Sequence, residues 1–344
     1  MFPAEGLDPS SQTNIGELMK TGISTLVLTM AWALLSNPVG AQAPAALSGK
    51  SIRVVVPQTT GGASDALARV MAQEIGKRWN APVVVENRAG AGGVIGSDLV
   101  AKSAPDGSTW LMSYSGTHSI NPALYKSMPF DTLKDLAPIG SLATLPFVLV
   151  ISPKLPVNNL GEFIAYAKAN PGRINLASSG NGSVAHLLAE MLASAAGVKI
   201  THIPYKGVAP ALTDVIGGQV QGIFASAPSI MGHVKSGAVR ALAASATKRA
   251  PALAEVPTFG EAGYPALAID SWFAFFVPSG TPAALREQIH TEINKVLQDK
   301  EVAARFAGQG ADPMITTLDA FNRIVVSDMD KWGKAVRDSG AKID

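Results

Sequence analysis

The sequence predicts an α/β protein of two domains. Its 344 residues are too many for one hydrophobic core and suit two. An apolar β-branched run, a turn rich in glycine or serine, and a helix follow one another at 54–71, 82–101 and 174–187. The composition, 47% hydrophobic with 33 Gly and 23 Pro, is that of a packed protein with many loops.

Residues 1–43 read as an export signal. Lys20 precedes an apolar run over 21–35, too short for a membrane span, which Asn37-Pro38 breaks ahead of the cleavage pattern Ala41-Gln42-Ala43. Residues 1–18 carry acids but no base where a cationic segment belongs, whereas Met19-Lys20 opens a compact signal by itself. Translation is therefore expected to start at Met19, and the mature protein is expected in the periplasm; a retained anchor is the alternative. There is no cysteine, which excludes disulfides, thiolate metal sites, a Cys nucleophile and a lipid-modified Cys.

In chain order, Val54-Val55-Val56 suits a buried strand, and Pro57 stops it. Gly61-Gly62 allow an open turn, with Ser64 and Asp65 as caps for a helix over 65–79 that turns Ala66, Leu67, Val70 and Met71 inward. Such a helix start leaves unpaired N–H groups where the dipole favours an anion. A strand at 82–86 leads through Gly90, Gly92, Gly93 and Gly96 into a helix to 101. A strand at 109–114 ends in a polar loop, Ser115-Gly116-Thr117-His118-Ser119-Ile120-Asn121-Pro122, placed where open α/β sheets bind ligands. An apolar strand follows at 147–152 and a helix at 159–170. The strand at 174–177 runs into Ser178-Ser179-Gly180-Asn181-Gly182-Ser183 and another helix, a loop rich in hydroxyls and free backbone N–H groups. Strands are expected at 201–204, 219–225 and 239–244, a helix at 209–216, and a short turn-helix at 257–262. The aromatic stretch 270–278 reads as a strand crossing back to the first domain. Helices close the chain at 282–298, 301–306 and 318–338, with Trp332 as ordinary packing.

Several chemistries are excluded or demoted. Five scattered histidines show no metal-ligand spacing, and no cofactor is called for. The glycines at 90, 92 and 96 miss the dinucleotide spacing by one residue and follow the second strand, so they read as close helix–sheet packing. Without the first 43 residues the net charge is +4, and no basic run interleaves with aromatics, which argues against nucleic acid. Ser183 and His186, three apart on a helix, leave a serine hydrolase as the alternative function, although no acid partner and no nucleophile-elbow motif accompany them. A cytoplasmic effector-sensing domain is a third reading, opposed by the export signal.

From about Lys50 onward the chain resembles the Bug or TctC-type periplasmic solute-binding proteins of tripartite tricarboxylate transport systems. The marks are Pro57 with Gly61-Gly62, Asp65 and Ala68-Arg69; Glu86-Asn87-Arg88-Ala89-Gly90; Ala104-Pro105-Asp106-Gly107; Ile120-Asn121-Pro122; Pro204-Tyr205-Lys206-Gly207; Pro257-Thr258-Phe259-Gly260; and Trp272-Phe273 with Pro278-Ser279-Gly280. The resemblance implies a type II periplasmic-binding-protein fold, two α/β domains with a hinged ligand cleft, the first holding 44–150 plus 271–344 and the second 151–270. It implies no catalysis, a small carboxylate ligand, and a membrane permease of the tripartite type or a sensor ectodomain as partner; a monomer is the default expectation. Carried onto this chain it points to Thr60, Gly61, Gly62, Ser115 and Thr117 on one wall and Ser178, Asn181, Gly182 and Ser183 on the other, with Asp65 as a cap. Two departures stand out. Gln58-Thr59-Thr60 is polar where the family carries an aromatic or apolar residue and a proline, and Ala225-Ser226-Ala227 is neutral where many members carry an acid for a ligand amine. The second favours plain carboxylates over amino acids.

Overall fold

The computed structural model describes residues 43–341; the expected signal peptide lies, apart from Ala43, outside the described residues. The strands are β1 (Ile52–Val56), β2 (Val83–Asn87), β3 (Thr109–Tyr114), β4 (Leu136–Leu145), β5 (Phe147–Ile151), β6 (Ile174–Ser178), β7 (Ile200–Pro204), β8 (Gly222–Ser226), β9 (Arg240–Ser245), β10 (Ser271–Pro278) and β11 (Asp312–Pro313). The helices are α1 (Ala63–Trp79), α2 (Val94–Ala101), α3 (Asn121–Leu124), α4 (Thr132–Asp135), α5 (Leu160–Ala169), α6 (Val184–Ala196), α7 (Val208–Gly217), α8 (Ala227–Lys235), α9 (Ala283–Leu297), α10 (Lys300–Gly308) and α11 (Leu318–Ser339).

The strands form two sheets, ordered β11-β4-β10-β3-β1-β2 and β7-β6-β8-β5-β9. Apart from the short edge strand β11, the two share one plan. Three parallel strands lie in the order second, first, third, and an antiparallel strand follows: β10 in one sheet, β5 in the other. The chain crosses to the second sheet at Pro146, because β5 already pairs with β8 and β9; this lies ahead of the division expected at 150. It re-enters the first sheet with β10, whose eight residues are all buried. Unbroken apolar runs such as Val54-Val55-Val56 and Phe147–Ile151 are what strands covered on both faces require.

Each sheet is covered on both faces. In the first, α1, α9 and α10 bury Leu67, Met71, Ile289, Ile293 and Phe306 against Val54, Val56, Trp110 and Phe275. The opposite face holds Val55, Leu111, Trp272 and Phe276 under Val100 of α2 and Phe321 and Val325 of α11. In the second sheet, α7 and α8 cover Val148, Val150 and Ile223. Its other face, under α5 and α6, is completed by residues from first-sheet segments: Ile120 and Leu124, and Trp332, Ala335 and Val336 of α11. The buried positions of α11, at 318, 321, 325, 328, 332, 333, 335 and 336, keep helical spacing over its full length. Its first half thus packs on one sheet and its second half on the other, which gives Trp332 a larger part than ordinary packing within one domain.

Some expectations need correction. The segment after β3 is no loop: Gly116–Ile120 is a buried helical turn running directly into α3. Residues 257–262 form a turn with one bridge, Ala244 to Thr258, and no helix. β4 and α8 had no clear sequence signal, since Pro138, Gly140 and Ser141 weaken the strand pattern and Pro228 reads as a break. The sheet accommodates Pro138 at a register shift opposite Phe276. In α8, Pro228 occupies the first turn, where its missing N–H has no partner to lose.

His118 is buried in this core, stacked on Phe276 with ring centroids 4.0 Å apart, and burial lowers its pKa from 6.5 to about 3. The neutral ring is therefore a source of stability above pH 6.5 that is lost progressively as pH falls toward 3. At pH 4 this one group accounts for about 3 kcal/mol of lost stability by proton linkage. His118→Phe should flatten that part of the stability-versus-pH curve, as read by urea unfolding across the range. Trp332 is fully buried, and Trp332→Ala should cost about 3–5 kcal/mol of unfolding free energy.

Candidate functional site

In a sheet ordered second, first, third, the connections from the first and third strands leave in opposite directions and open a crevice at their carboxyl ends. The candidate residues stand at these ends in both sheets: 58–63 after β1, 115–121 after β3, 178–183 after β6 and 226–229 after β8. Three of the four connections lead directly into the N-terminus of α1, α6 or α8.

Thr60, Gly61 and Gly62 form an exposed turn. Gly62 is the N-cap of α1 and provides no side-chain cap, which corrects the capping role expected of Ser64 and Asp65. Asp65 sits inside the first turn, buried, and reaches back to accept the Gly61 N–H at 3.0 Å. The same carboxylate accepts from Arg69 at 2.9 and 3.1 Å and from Asn87 Nδ2 at 3.0 Å. Burial raises its pKa, but the bonds from Arg69, Gly61 and Asn87 together outweigh that and hold it below the usual value. Asn87 also donates to the Gln58 carbonyl at 3.1 Å, tying β2 to the turn. The Gly61 N–H is therefore committed within the protein, and the donors left at this helix start are those of Gly62 and its successors.

Ser115 and Thr117 are buried at the start of the helical turn after β3. Thr117 Oγ1 accepts from Gln58 Nε2 at 3.0 Å, which joins this segment to the first turn. Asn121 donates to the Gly92 carbonyl at 3.0 Å and ties it to the Gly-rich entrance of α2. That entrance packs as its spacing predicts: a Cβ at Gly96 would lie 2.8 Å from both Pro57 Cβ and the Arg88 carbonyl oxygen.

On the second sheet, Ser178 is fully buried, Asn181 is exposed and Gly182 is buried. Gly182 has φ +72°, and a Cβ there would lie 2.0 Å from Leu124 Cδ2, so the first-sheet segment and the second-sheet loop touch at a point that only glycine allows. Ser183 caps α6, its Oγ accepting the His186 N–H at 3.3 Å. The Ser178 hydroxyl is engaged inside the loop, with Gly180 O at 3.0 Å, Gly180 N at 3.1 Å and His202 Nε2 at 2.6 Å. It holds the loop's shape and is not a free donor.

The geometry gives the hydrolase alternative no support. Ser183 Oγ meets the backbone of His186, while the imidazole Nδ1 accepts the Gly182 N–H at 3.0 Å and Nε2 faces Glu190 at 3.7 Å. The ring has no lone pair aimed at the hydroxyl, so it has no means of taking the proton.

Sequence reading missed Gln58, His202 and the Ser226–Ser229 pair, whose hydroxyls lie 3.1 Å apart at the start of α8. Two grooves lie elsewhere. One of about 750 Å³ runs between α6, residues 265–269 and α11; another of about 660 Å³ is lined by residues 122–133 and Met329. Neither is lined by a predicted residue. In the first, Lys331 and Lys334 already face Asp328 and Asp338, so its cations are neutralised; the strand ends instead offer unpaired backbone donors. Among the described residues no cluster of His, Asp and Glu could hold a metal, and no helix is long and apolar enough to cross a membrane.

Comparison with known proteins agrees with this architecture. Residues 67–341 match the model of the TctC family, described as the tripartite tricarboxylate transporter family receptor. The protein BugT of Bordetella pertussis is 39% identical over 322 residues, covering 93% of this chain and 98% of that one. The structure of R. palustris Rpa4515 with adipate superposes with a TM-score of 0.76 at 32% identity, over 85% of this chain and 98% of that one. MatC from Rhodopseudomonas palustris with bound malate gives 0.72 at 29% identity, over 83% and 98%. The two α/β domains are those of a periplasmic-binding-protein fold, and the chain belongs to the TctC family of tripartite tricarboxylate transporter receptors.

Proposed function

We propose that this chain is an extracytoplasmic solute-binding protein that captures a small carboxylate, such as a di- or tricarboxylate or an aromatic acid, for uptake or sensing. One observation carries the reading. Both sheets present Gly-, Ser- and Thr-rich segments at the strand ends flanking their crevice, and three of the four open a helix N-terminus whose first N–H groups lack helical partners. A carboxylate satisfies those donors and the positive end of the helix dipole together. The acid nearest the first turn is neutralised by Arg69, and Ala225-Ser226-Ala227 adds no charge, so nothing there repels an anion. Relatives of similar fold hold adipate and malate, which are small dicarboxylates.

In this reading Gly62 and Thr60, with Thr117 and Ser115 behind them, form one wall, and Asn181, Gly182, Ser183 and the N-terminus of α6 form the other. Gly61 and Ser178 shape these walls from within. The lobes close about the two crossings, at Pro146 and just before β10, and the closed form is recognised by a tripartite-type permease or a sensor ectodomain. The protein acts in the periplasm as a monomer, and capture requires neither turnover nor a cofactor.

The mature protein, refolded to remove bound ligand, should show a rise in Tm of a few degrees with one class of carboxylate. A ligand at about a hundred times its Kd adds about 2.7 kcal/mol. A flat response to mono-, di- and tricarboxylates would count against the proposal. Gly62 has φ −82°, near proline's range, and a Cβ there would meet nothing nearer than the Thr59 carbonyl oxygen at 3.9 Å, so proline is the substitution that removes the N–H. Gly62→Pro should leave the ligand-free Tm within a few degrees and weaken carboxylate binding by about tenfold or more in calorimetry.

A further inference from the structure

Beneath the loop 178–183 lie two histidines that carboxylate capture itself does not call for. His186 on α6 and His202 on β7 are stacked with ring centroids 3.7 Å apart and planes 12° from parallel. Each ring reaches a different end of the loop. His202 Nε2 lies 2.6 Å from Ser178 Oγ at its start, and His186 Nδ1 accepts the Gly182 N–H at 3.0 Å near its end.

These contacts bear on where the ring protons sit. Ser178 Oγ has one proton to give, and Gly180 O at 3.0 Å can only accept it. The hydroxyl also accepts the Gly180 N–H, so its contact with His202 is satisfied when Nε2–H donates. On His186 the Gly182 N–H requires a bare Nδ1, which leaves the proton on Nε2, facing Glu190 Oε1 at 3.7 Å. A proton added to Nδ1 would set donor against donor. Burial and the adjacent His186 lower the His202 pKa to about 4, with Glu190 acting in the opposite sense.

We propose that His186 and His202, both neutral and both in the Nε2–H form, are positioning residues that hold the loop 178–183 in its carboxylate-binding shape. This rests on the reading that the loop contacts a carboxylate. A loop with Gly180 at φ +135° and Gly182 at +72° is costly to order from a free chain. Pinning it at both ends removes that cost from the binding step. It also consumes the Gly182 N–H, and the Ser183 cap consumes that of His186, leaving those of Val184 and Ala185 for the ligand.

The first test uses the full mature chain with isotope-labelled histidine and no ligand. Long-range proton–nitrogen spectra at neutral pH should show both rings as Nε2–H tautomers; an Nδ1–H form on either overturns the proposal, and this arm needs no variant to fold. The second compares affinities for adipate and malate. His186→Asn retains an acceptor oxygen near the Nδ1 position, and His202→Gln retains a donor near Nε2. These should bind within about threefold of the unaltered protein, while His186→Leu and His202→Leu lose about tenfold or more, the worth of one hydrogen bond. Equal binding by all four, or equal loss in the conservative and leucine variants, overturns the positioning role. If the unaltered protein binds neither acid but responds to another carboxylate in the Tm series, the four variants are compared with that acid; if it binds none, the carboxylate reading fails, and the tautomers alone show whether the rings pin the loop. Binding by the unaltered protein with unaffected leucine variants refutes the positioning role alone.

Discussion

The second sheet cannot complete its own core. One of its faces is closed by Ile120, Leu124, Trp332, Ala335 and Val336, all from segments that otherwise belong with the first sheet. Removing these side chains from water is favourable, and it fixes the placement of the two segments that carry them. The helical turn after β3 is drawn toward the second sheet and brings Leu124 against Gly182. The C-terminal helix α11 spans both cores, with Phe321 and Val325 in one and Trp332 in the other. The candidate loops are thus set by burial at the junction of the sheets as much as by their own sequence.

On that support the two proposed walls are held by different means. The first is electrostatic: Asp65 gathers Arg69, Asn87 and the Gly61 N–H, and Asn87 carries the link to Gln58. The second uses neutral groups, Ser178, His202 and His186, in a hydrogen-bonded frame. Both frames consume some backbone donors in order to aim others. A carboxylate at a helix start competes with solvent for those donors, and a prearranged turn improves the balance because less is left to order on binding.

Much of this was legible in the chain. The repeated strand–turn–helix pattern marked an open α/β architecture and put Thr60–Gly62 and Asn181–Ser183 in turns after strands, because period and turn chemistry are local properties. The ordered motifs from Pro57 to Pro278 marked the family. The segment 115–122 was read as a loop because Ser, Gly, Thr and Asn favour turns; Gln58 and Gly92 clamp it as a helix, and burial of Ile120 and Leu124 overrides local preference. Ser178 resembled a ligand donor because a free hydroxyl and an engaged one are identical in sequence.

The sequence by itself determined the fold class, the family and the places where glycine and hydroxyl residues face the ends of strands. Tertiary structure alone decided which donors remain free. The pairing of Asp65 with Gly61 depends on the pitch of one helix turn, and the stack of His186 on His202 depends on α6 packing over β7. The crossing at Pro146 and the span of α11 over two cores depend on which sheet each apolar face is buried against. Hydrophobic spacing says that a face is buried, but it does not say by what; the answer comes from contacts between residues far apart in the chain, where the sequence carries no local signal.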